Sequence, residues 1–208
     1  MMNMRFYLLK IQLLHIEPAI WRRFVVPGDI TLDRLHDVIQ IIMGWKDYHL
    51  FQFSIGINRY TEDPEFKEDG LEAGMFRLVD LIKKKGRTFQ YIYDFGDGWD
   101  HEITVENSNF NADELKTIVA SFEGERACPP EDVGSIPGYY NFCEVLNDKK
   151  HEDHESSKNW YESNPLYHGK FDSEAFDTAK VNIEILKYLQ WSRDRDFMWF
   201  NYENIKQG

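Results

Sequence analysis

The sequence predicts an α+β fold, in which a mostly antiparallel sheet from the N-terminal two thirds packs against helices and the C-terminal region is helical. Three observations predict it. Segments that alternate apolar and polar residues cluster early in the chain, whereas segments with apolar residues three and four apart dominate late. Gly- and Pro-bearing turns, rather than crossover helices, join the first strands. With 42% of its 208 residues hydrophobic and 15% aromatic, the chain reads as a single domain, residues 1–208, able to bury a sizeable core.

Residues 5–14 form the first predicted strand, with Tyr7, Leu9, Ile11 and Leu13 on one face. Pro18 breaks it, residues 20–26 alternate again, and Pro27-Gly28-Asp29 ends that second strand as a turn. Thr31 sits at an N-cap position before Leu32, Leu35, Val38, Ile39 and Ile42, whose spacing predicts a helix that Gly44 stops. Residues 49–60 return to period two, with Phe51, Phe53, Ile55 and Ile57 on one face. An acidic loop over 61–74 and a short helix over 78–85 follow. Residues 88–95 and 101–105 alternate on either side of Asp94-Phe95-Gly96-Asp97-Gly98-Trp99-Asp100, the turn of an antiparallel hairpin. Leu115, Ile118, Val119 and Phe122 predict a helix over 112–122, with Gly124 past its end. Pro129-Pro130 and Pro137-Gly138 bracket a stiff loop, and Phe142, Val145 and Leu146 predict a helix beyond it. Residues 148–170 are expected to be an exposed link. Residues 171–191 read as a helix capped by Ser173 and stitched by Phe176, Ala179, Ile183, Leu186 and Leu189. The tail over 191–208, with Phe197, Trp199, Phe200 and Tyr202, is expected to dock on the body or on another chain.

Charge narrows the function. The formal net charge is −12, so non-specific binding to a phosphate backbone is disfavoured, as is binding to anionic lipid. The short basic clusters Trp21-Arg22-Arg23 and Lys83-Lys84-Lys85 read as a strand face and a solvated helix end. No apolar run is long enough to span a bilayer. Arg5 and Lys10 interrupt the first apolar stretch, which is therefore a strand and not a signal peptide. The expected location is cytoplasmic. Two cysteines, Cys128 and Cys143, exclude a disulfide framework.

Three constellations carry chemistry. Asp94, Asp97 and His101, in the hairpin turn with Trp99, place carboxylates and an imidazole where a divalent cation or a hydrolytic water would sit. The plainer alternative is a Gly-rich turn whose aspartates accept its own backbone N–H groups. Cys128-Pro129-Pro130-Glu131-Asp132 offers a thiol in a stiffened loop, or two carboxylates that complete a site begun by the Asp94 turn. His151 and His154 stand three apart, a spacing zinc uses, in a stretch polar enough to be solvated link. His36 and His49 read as half-buried, satisfied histidines. No phosphate loop, dinucleotide fingerprint, GxSxG elbow or HExxH occurs.

Four segments in order resemble the plasmid pRiA4b ORF-3-like family, which also includes passenger proteins of some insertion sequences. They are Leu9-Lys10-Ile11 through Pro18-Ala19-Ile20-Trp21-Arg22-Arg23; Leu35-His36 through Met43-Gly44-Trp45 to His49-Leu50-Phe51-Gln52-Phe53; Tyr93-Asp94-Phe95-Gly96-Asp97-Gly98-Trp99-Asp100-His101; and Cys128-Pro129-Pro130-Glu131-Asp132-Val133-Gly134 to Pro137-Gly138-Tyr139. The resemblance implies a compact α+β domain and a link to plasmids or mobile elements. It brings no established catalytic role. Ser135 stands where a second glycine is common in the family, and Asp100 where Glu is common.

Two functions follow as expectations. One is a non-enzymatic binding or accessory module for a protein or small ligand, recognised through loop aromatics such as Trp99, Tyr139 and Tyr140. The other is a metal-dependent hydrolase using the turn from Asp94 to His101 and the loop from Cys128 to Asp132, with a divalent metal as cofactor. Together they give a candidate pocket of Asp94, Asp97, Trp99, His101, Cys128, Glu131, Asp132 and Tyr139. Direct strand exchange is disfavoured, because no nucleophilic serine lies among phosphate-neutralising arginines.

Overall fold

A computed structural model of the protein describes residues 5–62, 64–66, 69–165, 167 and 169–191. Its centre is an eight-stranded sheet. The alternating N-terminal segments form β1 (Phe6–Leu13) and β2 (Ile20–Pro27), an antiparallel pair with Leu9 opposite Phe24 and Ile11 opposite Arg22. The period-two run after residue 49 is not one strand. It folds back at Gly56 into β3 (Phe51–Ile55) and β4 (Asn58–Thr61), leaving Ile57 wholly exposed at the turn. A short β5 (Leu71–Glu72) joins β4 in parallel. The hairpin expected around the Asp94 turn is β6 (Thr88–Tyr93) with β7 (Trp99–Phe110). With β8 (Ala120–Glu125), the spatial order is β5-β4-β3-β6-β7-β1-β2-β8. Among the described residues only the β4–β5 pair is parallel, so the sheet is mostly antiparallel as the sequence predicts.

The first helix, α1 (Leu32–Met43), buries Leu32, Leu35, Val38, Ile39 and Ile42 and ends at Gly44, whose φ of 103° suits glycine. Thr31 holds the N-cap position, but its side chain makes no capping bond. A single-turn α2 (Leu78–Leu81) stands where a short helix is expected. Helices α3 (Ser135–Asn147), α4 (His154–Glu162) and α5 (Thr178–Trp191) make the C-terminal region helical.

Three expectations are corrected. Residues 112–122 form no helix, because the free edge of β2 needs a partner and β8 supplies it. Ile118, Val119, Ala120 and Ser121 are buried consecutively, which a helix with one apolar face would not allow. Gly124 is therefore no helix stop. It lies where a Cβ would come within 2.7 Å of the Arg22 side chain and of the Phe176 ring. Part of the expected link, His154–Glu162, is helical, although none of its residues is buried. The last helix begins at Thr178, not at residue 171, and Asp177 caps it by accepting from the Lys180 amide at 3.0 Å. Its inward residues are Ile185 and Leu189, while Ile183 and Leu186 face outward. The aromatic tail beyond residue 191 lies outside the described residues.

Arg22 fixes the junction of these elements. Its guanidinium is buried and donates to four carbonyls: Ile42 at 3.0 Å, Trp21 at 2.8 Å, Glu125 at 2.7 Å and Arg126 at 2.7 Å. The Phe176 ring lies 4.1 Å beneath it. The C-terminal end of α1 is thereby held against β2 and β8. This sets the direction of the chain from Gly44 into residues 45–50, the first wall of the site.

Candidate functional site

Three connections meet at one end of the sheet: residues 45–50 between α1 and β3, residues 94–98 at the tip of the β6–β7 hairpin, and residues 128–134 ahead of α3. Trp45 joins the first to the third by donating from Nε1 to the Pro129 carbonyl at 3.1 Å. The Asp94 amide donates to the Leu50 carbonyl at 3.0 Å, joining the second to the first. Asp97 joins the second to the third, since its Oδ2 accepts from the Gly134 amide at 3.1 Å.

Asp94 follows the last residue of β6 with φ 57°, in the left-handed region that aspartate tolerates. Its Oδ1 accepts from the Gly96 amide at 2.8 Å and the Asp97 amide at 3.2 Å, closing the turn. Its Oδ2 faces His49, 3.6 Å from Nε2. His49 stands two residues before Phe51 and so shares that residue's inward parity. Asp132, also left-handed at φ 58°, brings Oδ1 to 3.2 Å from the same nitrogen.

Glu131 completes the floor. Its Oε1 accepts from the Lys46 amide at 2.7 Å and the Tyr93 hydroxyl at 3.1 Å, and its own amide donates to the Tyr167 hydroxyl oxygen at 2.6 Å. Its Oε2 lies 3.9 Å from His49 Nε2. Both Oε2 and Nε2 are buried without a hydrogen-bond partner of good geometry among the described residues. Burial raises the Glu131 carboxyl above the usual range, against the Lys46 amide, the Tyr93 hydroxyl and His49, which lower it. The Tyr93 hydroxyl is raised in turn, first by burial and then by the Glu131 charge.

The ligand atoms of His49, Asp94 and Asp132 all lie within 4.8 Å of one another. Bonds of about 2.1 Å arranged tetrahedrally put neighbouring donors about 3.4 Å apart. The separations of 3.2 and 3.6 Å from Nε2 therefore fit a shared cation. Asp132, with 69% of its side chain exposed, opens this centre to solvent, and Glu131, 2% exposed, closes it behind. The other compact group, His36 with Asp37 and Asp47, is already consumed. His36 bonds the Tyr91 hydroxyl and Asp47, each at 2.8 Å, and Asp37 holds Arg34 at 2.9 Å and the Tyr188 hydroxyl at 2.6 Å.

Of the residues expected from sequence, Asp94, Asp97, Glu131 and Asp132 come together. Four do not join them as ligands or contacts. His101 is fully buried in β7, where its Nδ1 pairs with the Tyr91 carbonyl at 3.2 Å and its ring stands edge-on to Trp45. Burial pushes its pKa down to about 3, so it is neutral, and its place inside β7, apart from the cluster of His49, Asp94 and Asp132, keeps it from being a ligand of this centre. Trp99 and Tyr139 are core residues at 1% and 2% exposure, so neither belongs to a recognition surface. Burial pushes the Cys128 thiol up, with the Arg22 charge only partly opposing, which disfavours the thiolate a nucleophile needs. His151 and His154 make no pair: one accepts the Asp153 amide and the other bonds the Val145 carbonyl. His49 is the residue that sequence reasoning missed. Its signal was parity with Phe51, which pairs with Tyr93 directly before Asp94.

Comparison with known proteins places the chain among relatives. The family model described as plasmid pRiA4b ORF-3-like protein matches residues 5–180. The chain is 37% identical over 176 residues to the uncharacterized protein y4hQ of Sinorhizobium fredii, covering 84% of this chain and 87% of that protein. It is also similar to the crystal structure of MM3350, a protein of unknown function from Methanosarcina mazei Go1. That likeness has a TM-score of 0.72 and 31% identity, and covers 85% of this chain and 97% of the other.

Proposed function

The chain belongs to the plasmid pRiA4b ORF-3-like family, and from the geometry at the end of its sheet we propose that it is a metal-dependent hydrolase. His49, Asp94 and Asp132 hold a divalent cation, and Glu131 is the general base. One observation carries this: three donors from three separate connections converge, while an oxygen of a third carboxylate, Glu131, is buried beside them with no hydrogen-bond partner among the described residues.

One imidazole and two carboxylates suit Mn²⁺ or Zn²⁺, and three protein ligands leave a coordination position for water. A bound cation supplies acidity to that water. The chain's own residues do the rest. The Lys46 amide and Tyr93 hydroxyl fix Glu131 through Oε1, which leaves Oε2 aimed at the cluster as the atom that takes a proton. Asp97 positions the centre by tying the hairpin tip to the Gly134 amide, beside Asp132.

The binding-module alternative loses its loop aromatics, since Trp99 and Tyr139 are interior and the half-exposed Tyr140 hydroxyl accepts from the Glu17 amide at 2.8 Å. Mn²⁺ titration followed by electron paramagnetic resonance, with thermal melting alongside, tests the proposal. One Mn²⁺ per chain is expected for the wild type and for Glu131→Gln. His49→Gln and Asp94→Asn should lose it. Identical melting curves with and without Mn²⁺ and Zn²⁺, and no bound signal, would refute the centre.

A further inference from the structure

We propose that the cleft between α3 and α4 binds a small organic anion, a single carboxylate or phosphate group carried on a flat apolar ring. The cleft lies along α4, between the last turn of α3 and residues 170–171, and has a volume of about 360 Å³. Sites for small molecules span roughly 300–1,000 Å³, so this one suits a compact ligand. None of its residues belongs to the cation centre, and the two sites stand or fall separately.

Charge points to an anion. Lys149, Lys158 and Lys170 line the cleft, in a chain whose net charge is −12. Two carboxylates line it as well, and the ion pairs divide them unevenly. Glu155 is shared between Lys158 at 3.5 Å and His154 Nε2 at 4.0 Å. Lys149 and Lys170 make no ion pair among the described residues, and only Glu162 is left to oppose them. The cleft thus keeps positive charge that its own side chains do not neutralise, on a protein that is otherwise acidic. A lysine ammonium is a flexible point charge with three donors, and it takes carboxylate and phosphate alike.

The rings point to a flat apolar body. Tyr161 and Phe171 line the cleft with centroids 5.3 Å apart and planes inclined at 71°. Each is braced by a residue outside the lining. Tyr161 stacks on Tyr167 at 4.5 Å, and Phe171 meets Phe142 edge-on at 5.2 Å. His154 is held too, its Nδ1 donating to the Val145 carbonyl at 3.0 Å. Walls fixed in advance lose little freedom when a ligand enters, and aromatic faces and edges favour contact with another ring. The room is left by α4, none of whose nine residues is buried against α3.

Calorimetric titration of the metal-free full chain tests the proposal, with phenyl phosphate, benzoate, inorganic phosphate and benzylamine as probes and ¹H–¹⁵N NMR to locate binding. Phenyl phosphate or benzoate should bind roughly tenfold more tightly than either benzylamine or inorganic phosphate. Amide shifts should centre on residues 146–171, and whichever ring-bearing anion binds more tightly assigns the anionic group. Lys149→Gln combined with Lys170→Gln should weaken that binding by about tenfold at an unchanged melting temperature. The control pair Lys83→Gln with Lys84→Gln should leave it as it was. Benzylamine binding as well as the anions would overturn the charge argument, and inorganic phosphate binding as well as phenyl phosphate would overturn the part given to the rings. Shifts centred elsewhere, or no binding of either ring-bearing anion at about 10 mM, would remove the site altogether. The shift map comes from the wild type, so it decides the matter even if a lysine variant fails to fold.

Discussion

Acid should destabilise this protein through one buried imidazole, at a pH where its carboxylates are still ionised. His101 lies in β7 with no solvent exposure, in edge contact with Trp45, and burial depresses its pKa to about 3. The unfolded chain binds that proton near pH 6.5. Because the folded value is the lower one, unfolding takes up a proton between the two, and stability falls as pH drops from about 6.5 toward 3. The slope approaches about 1.4 kcal/mol per pH unit, so roughly 2 kcal/mol is lost between pH 7 and pH 5. That is a large share of the roughly 5–15 kcal/mol that holds a domain folded. Urea unfolding at half-unit pH steps measures it. His101→Phe keeps a ring beside Trp45 but gives up the bond to the Tyr91 carbonyl, which costs about 1–3 kcal/mol at every pH. The informative quantity is therefore the slope and not the offset. The variant should be nearly flat from pH 6.5 to 5, where the wild type declines. Parallel slopes would refute the assignment of acid sensitivity to this residue.

Glu131→Gln should raise the melting temperature of the metal-free protein by about 2–4 °C, because it removes a buried charge while the amide oxygen still accepts from Lys46 and Tyr93. On the proposed reading Glu131 must be deprotonated to act, so kcat/KM should rise with pH as Glu131 ionises. A stability gain without loss of activity would separate Glu131 from the chemistry. Gly124→Ala should cost roughly 1–3 kcal/mol in urea unfolding, since its Cβ would meet the Phe176 ring and the Arg22 stem at 2.7 Å and the Trp21 carbonyl at 2.8 Å. An unchanged midpoint would show that Phe176 swings aside freely.

The elements legible in the sequence were those whose pattern and partners are local. In β1, the alternation of Tyr7, Leu9, Ile11 and Leu13 has one reading, and all four are buried. In α1, both the stripe and its Gly44 stop stand as predicted. Errors came where a distant partner decided. Ile118, Val119 and Phe122 have helical spacing, yet the β2 edge, almost a hundred residues earlier, takes that segment as a strand. Asn182 of α5 then seals the strand, accepting from the Ser121 amide at 2.8 Å and donating to its carbonyl at 2.9 Å. In α5 the apolar residues wrap more than one face, so Ile183 and Leu186 were as plausible inward residues as Ile185 and Leu189. The acidic residues of the site were visible as a pair of stretches. His49 was not, because its meaning depends on the pairing of Phe51 with Tyr93, which periodicity cannot supply.

The two stretches also posed a choice, turn or ligand, and the geometry makes the two roles compatible. An ionised carboxylate has two oxygens and several lone pairs, and Asp94 divides them. Oδ1 satisfies the amides of Gly96 and Asp97 and so gives the turn its shape, which leaves Oδ2 held toward His49 with little freedom. Glu131 is divided in the same way, with Oε1 fixed by Lys46 and Tyr93 and Oε2 left over. Asp97 makes the complementary use, spending an oxygen on the amide of the opposite loop. Aspartates that only closed their own turn would need neither a buried neighbour nor a histidine placed between them. On the proposed reading the backbone bonds act as the support that would orient a reactive oxygen, as surrounding hydrogen bonds orient the ligands of metal sites generally. The glycines of the turn serve the same end, for Gly98 at φ 69° lets its amide reach the Asp94 carbonyl at 2.6 Å and close the loop around the carboxylate.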